Sequence, residues 1–387
     1  MQPKRELTAI LALKSLLPPL FLSLLFDIIA GSFLGVSFEK LMVSYPTILF
    51  ILPALMGLRG NVFGSLGSRI STSLYLGSAE PSFSDKLVRN DILFSIWAAT
   101  IPAFILLTVA SLRFPEPELI IKTFYIILGS SVSISVILGI LTAVIVIQSF
   151  KAGFDPDNLV GPAITTFADL VSIPSIILFI LILEYLKSFE YLAALFICIL
   201  LFSFYNTIKN RRSFKELLII ISILALLQCI TGSLLQEYSE DIHASAILAF
   251  AYPAILGSVG NYGSIIVART STKLHLGEVT SFASRTIVLD IFYVFLVSIV
   301  IVPVIFLSSV LMSSFLGSKS KIGILTFLMF SSIYLLLTAL ILIFSAIISI
   351  SLYRRGVNPD DGGIPLATTI SDIFGTVAVV VLAKLLT

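Results

Sequence analysis

Two stretches of this chain place oxygen-bearing side chains at helical spacing inside otherwise apolar sequence. In Asp155 to Asp169 (DPDNLVGPAITTFAD), Pro162, Thr165, Thr166 and Asp169 stand at i, i+3, i+4 and i+7; in Asn358 to Asp372 (NPDDGGIPLATTISD), Pro365, Thr368, Thr369 and Asp372 repeat the pattern. On a helix such spacing puts all four along one face. A carboxylate about two turns into an apolar helix costs on the order of 2.5–3.5 kcal/mol on insertion scales, so it turns toward a bundle interior, a partner or an aqueous cavity. Two like charges brought together resist joint ionisation unless a cation lies between them. Asp169 and Asp372, facing each other across a pseudo-twofold axis, would form a divalent-ion site; the plainer alternative is hydrogen bonding to neighbouring Ser and Thr.

The available ligands are oxygens from Asp, Thr, Asn and backbone carbonyls, whereas His243 and His275 are isolated and the two cysteines, Cys198 and Cys229, lie in separate apolar runs. Hard Mg²⁺ or Ca²⁺ suits such a set better than Zn²⁺ or Cu⁺. Mg²⁺ gives up water reluctantly and commonly uses one or two carboxylates plus waters, which two aspartates among threonine hydroxyls could offer. It would be the ion such a site holds, and no organic cofactor is expected.

A second pair of segments flanks this chemistry. Gly57, Gly60 and Asn61, and again Gly257, Gly260 and Asn261, are placed at the cytoplasmic ends of the apolar runs 42–58 and 244–259, the second and eighth of the chain. There glycine permits close backbone approach and asparagine offers a carbonyl oxygen at a pore mouth, although helix termination and tight packing would use the same glycines. Asp157 and Asp360, with Asp155 and Asp361 beside them, could draw cations to the inner mouth or cap helices. Asp27, matched by Gln228 in the other half, and Asp290, loosely matched by the boundary residue Asp91, are secondary pathway or packing candidates. Arg69 and Arg269 are read as membrane-edge anchors.

These residues must be positioned by membrane-spanning helices. Apolar residues make up 58% of the 387 positions and charged residues 12%, with a mean hydropathy of +1.09; soluble domains hold about 45–50% apolar residues. Runs long enough to cross a bilayer fall near residues 16–36, 42–58, 91–112, 120–149, 160–186, 190–207, 216–236, 244–259, 286–308, 323–352 and 364–386, predicting eleven spans. Because the basic opening Met1 to Lys14 leads into an apolar run that contains Asp27 and no small-residue cleavage site, the first span is expected to be retained. With the N-terminus inside and the C-terminus outside, seventeen Lys and Arg fall on the cytoplasmic side and seven outside, the bias expected of an oriented multi-pass protein of the cell membrane. A net charge of +2 leaves no electrostatic footprint for nucleic acid.

The chain is also duplicated. Pro53 to Gly77 (PALMGLRGNVFGSLGSRISTSLYLG) aligns with Pro253 to Gly277 (PAILGSVGNYGSIIVARTSTKLHLG) at an offset of 200, with eleven of 25 positions identical. The aspartate-bearing stretches align at 203, Gly31 with Gly232 at 201, and Ser130 and Ser131 with Ser331 and Ser332 at 201. The expected organisation is all-α: a first five-helix repeat at 1–186, a linking helix and basic loop at 187–212, and a second repeat at 213–387. The linking span restores the orientation that five crossings would invert, so the repeats run parallel, as if a homodimer had been fused into one chain.

P-x-x-x-G-x-x-G-N followed by R-x-S-T, and D-P-D-N with P-x-x-T-T-x-x-D, resemble the motifs of MgtE-type magnesium channels and transporters; the fused double repeat is most similar to solute carrier family 41. The resemblance covers both halves. It implies that the acidic residue of the fifth helix, here Asp169 and Asp372, contributes to Mg²⁺ recognition in a pore between the two repeats, and that the asparagine near the second helix, here Asn61 and Asn261, takes part. The cytosolic sensor domains of bacterial members have no counterpart in these residues, so their gating does not carry over. Na⁺ is a candidate coupling ion. Two other classes compete: an intramembrane aspartyl protease, whose YD and GxGD signatures are absent from the TFAD and TISD contexts, and a secondary transporter of an organic solute.

Overall fold

Runs of Leu, Ile, Val and Phe this long leave backbone amides no water to bond to, and the helix is the element that satisfies them within one segment. The computed structural model describes residues 9–153, 156–186, 189–207, 211–245, 247–278, 284–315, 323–357 and 359–386, and among them the secondary structure is entirely helical. The helices are α1 (Ala9–Ser44), α2 (Pro46–Tyr75), α3 (Lys86–Arg113), α4 (Pro117–Lys151), α5 (Pro156–Tyr185), α6 (Phe189–Thr207), α7 (Arg211–Glu237), the short α8 (Ser239–Ala244), α9 (Leu248–His275), α10 (Arg285–Phe315), α11 (Ile324–Arg354) and α12 (Pro359–Leu386). Among the described residues ten helices are long and apolar enough to cross a membrane, and the shorter apolar stretch Phe189–Ser203 stands where the linking helix was expected. Side chains on their outer faces are large and apolar, as with Leu22, Leu25, Ile29 and Val36 along α1, a lipid-facing stripe at helical spacing.

Local chemistry sets the helix ends. Pro46 and Pro117 open α2 and α4, where a missing N–H costs nothing. Asp85 caps α3 by accepting from the backbone N–H of Leu87 and Val88. Past α2 and α9 the chain turns at Gly77 and Gly277, with φ of 66° and 69°, a left-handed conformation that accounts for the duplication of both glycines.

The helices gather into two compact units that cut across the sequence repeats. One is Val36–Ser239; the other joins Met1–Gly35 to Glu240–Thr387. In the Val36–Ser239 unit α2 is the central helix, packed by α3, α4, α5 and α7. In the split unit α9 holds the matching place, packed by α10, α11 and α12. The first helix of each repeat is therefore grouped with the other repeat's helices. A Cβ on Gly232 of α7 would collide with the carbonyl oxygen of Phe50 in α2, and one on Gly31 of α1 with the carbonyl oxygen of Phe250 in α9. Gly31 and Gly232 recur because each admits a helix backbone to van der Waals contact, the packing that holds transmembrane helices together.

One sequence expectation is corrected. The Gly57 to Asn61 and Gly257 to Asn261 segments do not end helices; they lie midway along α2 and α9, which continue to Tyr75 and His275. Glycine, asparagine and Arg59 depress local hydropathy, which mimics a span boundary, but closely packed neighbours let the helix run on through them. Arg59, one of the seventeen Lys and Arg assigned to the cytoplasmic side from sequence, is instead 2% exposed within α2.

Candidate cation stations in each unit

In the Val36–Ser239 unit the site is built where α5 crosses the middle of α2. A Cβ on Gly60 would meet Thr165 Cγ2 at 3.2 Å, so the bare backbone of α2 lies directly under the first threonine of the polar stripe. Thr166 is buried, whereas Thr165 and, one turn further along α5, Asp169 are half-buried. Asn61 follows Gly60 and is half-buried. The charges of Asp169 and Arg59 act on one another.

The split unit repeats this geometry with α12 and α9. A Cβ on Gly260 would meet Ser371 Oγ at 3.2 Å and Thr368 Cγ2 at 3.9 Å. Thr369 and Ser371 are buried, and Thr368 and Asp372 are half-buried. The Thr368 hydroxyl donates to the carbonyls of Ile364, at 3.2 Å, and Pro365, at 3.0 Å. A proline at 365 withholds the N–H that would bond one turn back, and such side-chain bonding accompanies local relaxation of a helix. Asn261 donates its amide to Ser23 Oγ of α1 at 2.7 Å, which leaves its carbonyl oxygen, the atom a cation would use, outside that bond.

Around this core the split unit is the more polar of the two. Asp27 on α1 is 0% exposed and lies against Gly257, where any Cβ would strike its carboxylate. Its carboxyl group lies near Tyr262 and Tyr334. These form a buried chain in which Ser258 Oγ is 2.8 Å from Tyr334 OH, which donates to Tyr262 OH at 3.1 Å. Nearby, Tyr252 OH and Thr376 Oγ1 are 2.9 Å apart, and the charge of Asp372 acts on Tyr252.

The other singled-out residues are placed as follows. Asp290 forms ion pairs with Arg269, at 3.2 Å, and with Lys273, so it belongs to a structural cluster. Asp91 is more than the loose boundary match expected: it faces Arg69 at 3.8 Å, the same pairing in the other unit. Arg69 also donates to Ser65 and Ser95. The side chains of Asp157 and Asp360 lie outside the described residues. Among the described residues no group of three or more His, Cys, Asp or Glu could hold a metal ion. Each polar stripe carries one aspartate beside two threonines.

Sequence reasoning passed over Arg59. The signal was present: within P-A-x-x-G-x-x-G-N, position 59 is Arg where position 259 is Val, a charge facing an apolar residue in an otherwise repeated motif.

The MgtE family, described as a divalent cation transporter, matches this chain twice, at residues 52–181 and 252–382. The chain belongs to the MgtE family of divalent cation transporters. This is a family of membrane transporters and not of enzymes, which removes the aspartyl protease reading. The chain is similar to solute carrier family 41 member 2 of Mus musculus, at 26% identity over 96% of this chain and 70% of that protein. Solute carrier family 41 member 3 of Mus musculus is 24% identical over 97% of this chain and 82% of its own length. Member 2 of Gallus gallus is 27% identical over 72% of this chain, and the match spans about half, 51%, of that relative. Both matched stretches contain a complete Gly-Asn and Thr-Thr-Asp set, Gly60 to Asp169 and Gly260 to Asp372.

Proposed function

We propose that this MgtE-family chain carries Mg²⁺ across the membrane, with Asp169 and Asp372 as its carboxylate stations. Thr165, Thr166, Thr368 and Thr369 supply hydroxyl oxygens, and Asn61 and Asn261 supply amide oxygens from the adjoining helices. One observation carries this reading: in both units the glycine before the asparagine packs on the aspartate-bearing helix, on Thr165 in one and on Ser371 and Thr368 in the other, within about a turn of an intramembrane aspartate. A half-buried acid in lipid surroundings is costly unless it has a use, and here the costly residue is present twice.

The donor set favours an ion that keeps its water. One carboxylate with hydroxyl and amide oxygens falls short of the six to eight oxygens Ca²⁺ takes, whereas Mg²⁺ retains several waters and binds through one or two carboxylates. Hydroxyl and amide groups would then contact the hydration shell. The match to a divalent cation transporter family supports the same reading over an organic solute carrier.

The test is Mg²⁺ uptake by purified full-length protein in proteoliposomes. Asp169→Asn and Asp372→Asn should each lower initial uptake about tenfold or more, the scale of losing one charge-assisted ligand. Wild-type uptake in both variants would overturn the assignment. Repeating the measurement with and without a Na⁺ gradient separates passive from Na⁺-coupled movement, and competition by Mn²⁺, Co²⁺ and Ni²⁺ ranks selectivity.

A further inference from the structure

The two stations are related by duplication yet differ in charge. Arg59 is 2% exposed in the middle of α2, and its Nη1 and Nη2 have no hydrogen-bond partner among the described residues. A guanidinium carries five donors in a fixed fork, and burying it without satisfying them is among the more expensive arrangements a helix bundle can hold. The neighbouring residue Gly60 packs on Thr165, and the charge that acts on Arg59 is that of Asp169, one turn along from Thr165. At the repeat-equivalent position α9 has Val259, buried and apolar, beside the Gly260 that packs on Thr368 and Ser371.

We infer that Arg59 is a tethered cation that competes with the transported dication for Asp169, and so sets how tightly that station holds the ion and how readily it lets go. The inference rests on the proposed role of Asp169. Without a bound dication, Arg59 partly neutralises the carboxylate and lowers the cost of leaving it ionised in the membrane. When the dication arrives it meets a carboxylate whose charge is partly offset, so it binds more weakly and is repelled by the guanidinium once there. A transporter needs binding strong enough to admit the ion and weak enough to release it, and a fixed positive charge in a low-dielectric site is an efficient way to weaken it. At the repeat-equivalent position valine brings no charge, so position 259 supplies no guanidinium to the Asp372 station. Arg59 against Val259 is thus a charge difference between the two copies that acts on the hold of the Asp169 station.

The experiment measures Mg²⁺ uptake across a range of Mg²⁺ concentrations in proteoliposomes, for wild type and for Arg59→Gln, Arg59→Val and Arg59→Lys. Removing the charge should lower the half-saturating Mg²⁺ concentration by about tenfold or more, with a maximal rate equal to or below that of wild type because release slows. Arg59→Lys, which keeps the charge, should stay within about threefold of wild type. In an Asp169→Asn background, where the carboxylate under competition is gone, adding Arg59→Gln should shift half-saturation far less than it does in the wild-type background; a purely structural arginine would shift it in neither. An unchanged or raised half-saturation in folded Arg59→Gln, or an equal shift with and without Asp169, overturns the inference. If Arg59→Val does not fold, Arg59→Gln and the double variant decide the matter. Loss of uptake in Asp169→Asn alongside an indifferent Arg59→Gln defeats only this inference, whereas wild-type uptake in both Asp169→Asn and Asp372→Asn defeats the station assignment itself.

Discussion

Gly60 lies against Thr165 so closely that a methyl group on the glycine would sit 3.2 Å from the threonine Cγ2. That distance is tolerable only if the β-branched neighbour yields by a few tenths of an ångström. Gly60→Ala should therefore shift the polar stripe of α5 while gaining about 0.5–1 kcal/mol of helix propensity, which offsets part of the packing strain. Stability should change by no more than about 2 kcal/mol, while Mg²⁺ uptake falls severalfold. Thermal unfolding in detergent, measured alongside flux, separates the two effects.

Gly232→Ala is expected to be far more damaging. Its new methyl group would meet the Phe50 carbonyl, and a backbone carbonyl in a helix cannot rotate aside. A loss of about 3 kcal/mol or more is expected, read as a fall in unfolding temperature or in the yield of monodisperse protein. Gly64 is the control, because a Cβ added there would find open space, with nothing within 4 Å. Gly64→Ala should stabilise by about 0.5–1 kcal/mol.

Asp290 bridges Arg269 and Lys273 with its carboxylate 14% exposed, so Asp290→Asn leaves two cations short of a partner. The cost should be about 1–3 kcal/mol. Asp91 meets only the longer 3.8 Å pairing with Arg69, and Asp91→Asn should cost less than about 1 kcal/mol. Unfolding temperatures of the two variants, compared at low and high salt, test the ranking.

Tyr334 links Ser258 to Tyr262 through its hydroxyl. Tyr334→Phe removes the middle of a buried chain and should destabilise the protein by about 1–3 kcal/mol. An unchanged unfolding temperature would mean that the outer hydroxyls find each other without it.

At the start of α3, outside the apolar spans, Asp85 has its carboxyl held below the ordinary range, first by the backbone N–H of Glu80, then by those of Val88 and Leu87 and by the nearby Arg89. A depressed folded pKa contributes stability that is present above the unfolded value of about 3.9 and lost as pH falls through the folded value. Protection of the Leu87 and Val88 amides, taken relative to the intrinsic exchange rate at each pH, should therefore fall below about pH 4. Asp85→Asn, which keeps a capping oxygen, should flatten that dependence.

Much of this protein is legible in the order of its residues. Helix class, the approximate number of crossings, the duplication and the repeated Gly-Asn and Thr-Thr-Asp sets follow from hydropathy, period and identity, because a bilayer permits few backbone solutions and a duplicated polar residue stands out against lipid-filling side chains. The MgtE family match covers those same sets. Tertiary structure decided what one-dimensional patterns cannot carry. Hydropathy falls equally at a helix end and at a buried polar waist, so only packing shows that Gly57 to Asn61 sits midway along α2 and that Arg59 is enclosed. Sequence order groups α1 with α2, whereas close backbone contact at Gly31 and Gly232 groups each first helix with the opposite repeat. Which residues repeat is written along the chain; which neighbours each copy keeps depends on contacts between segments some 200 positions apart, and it is there that the two copies diverge.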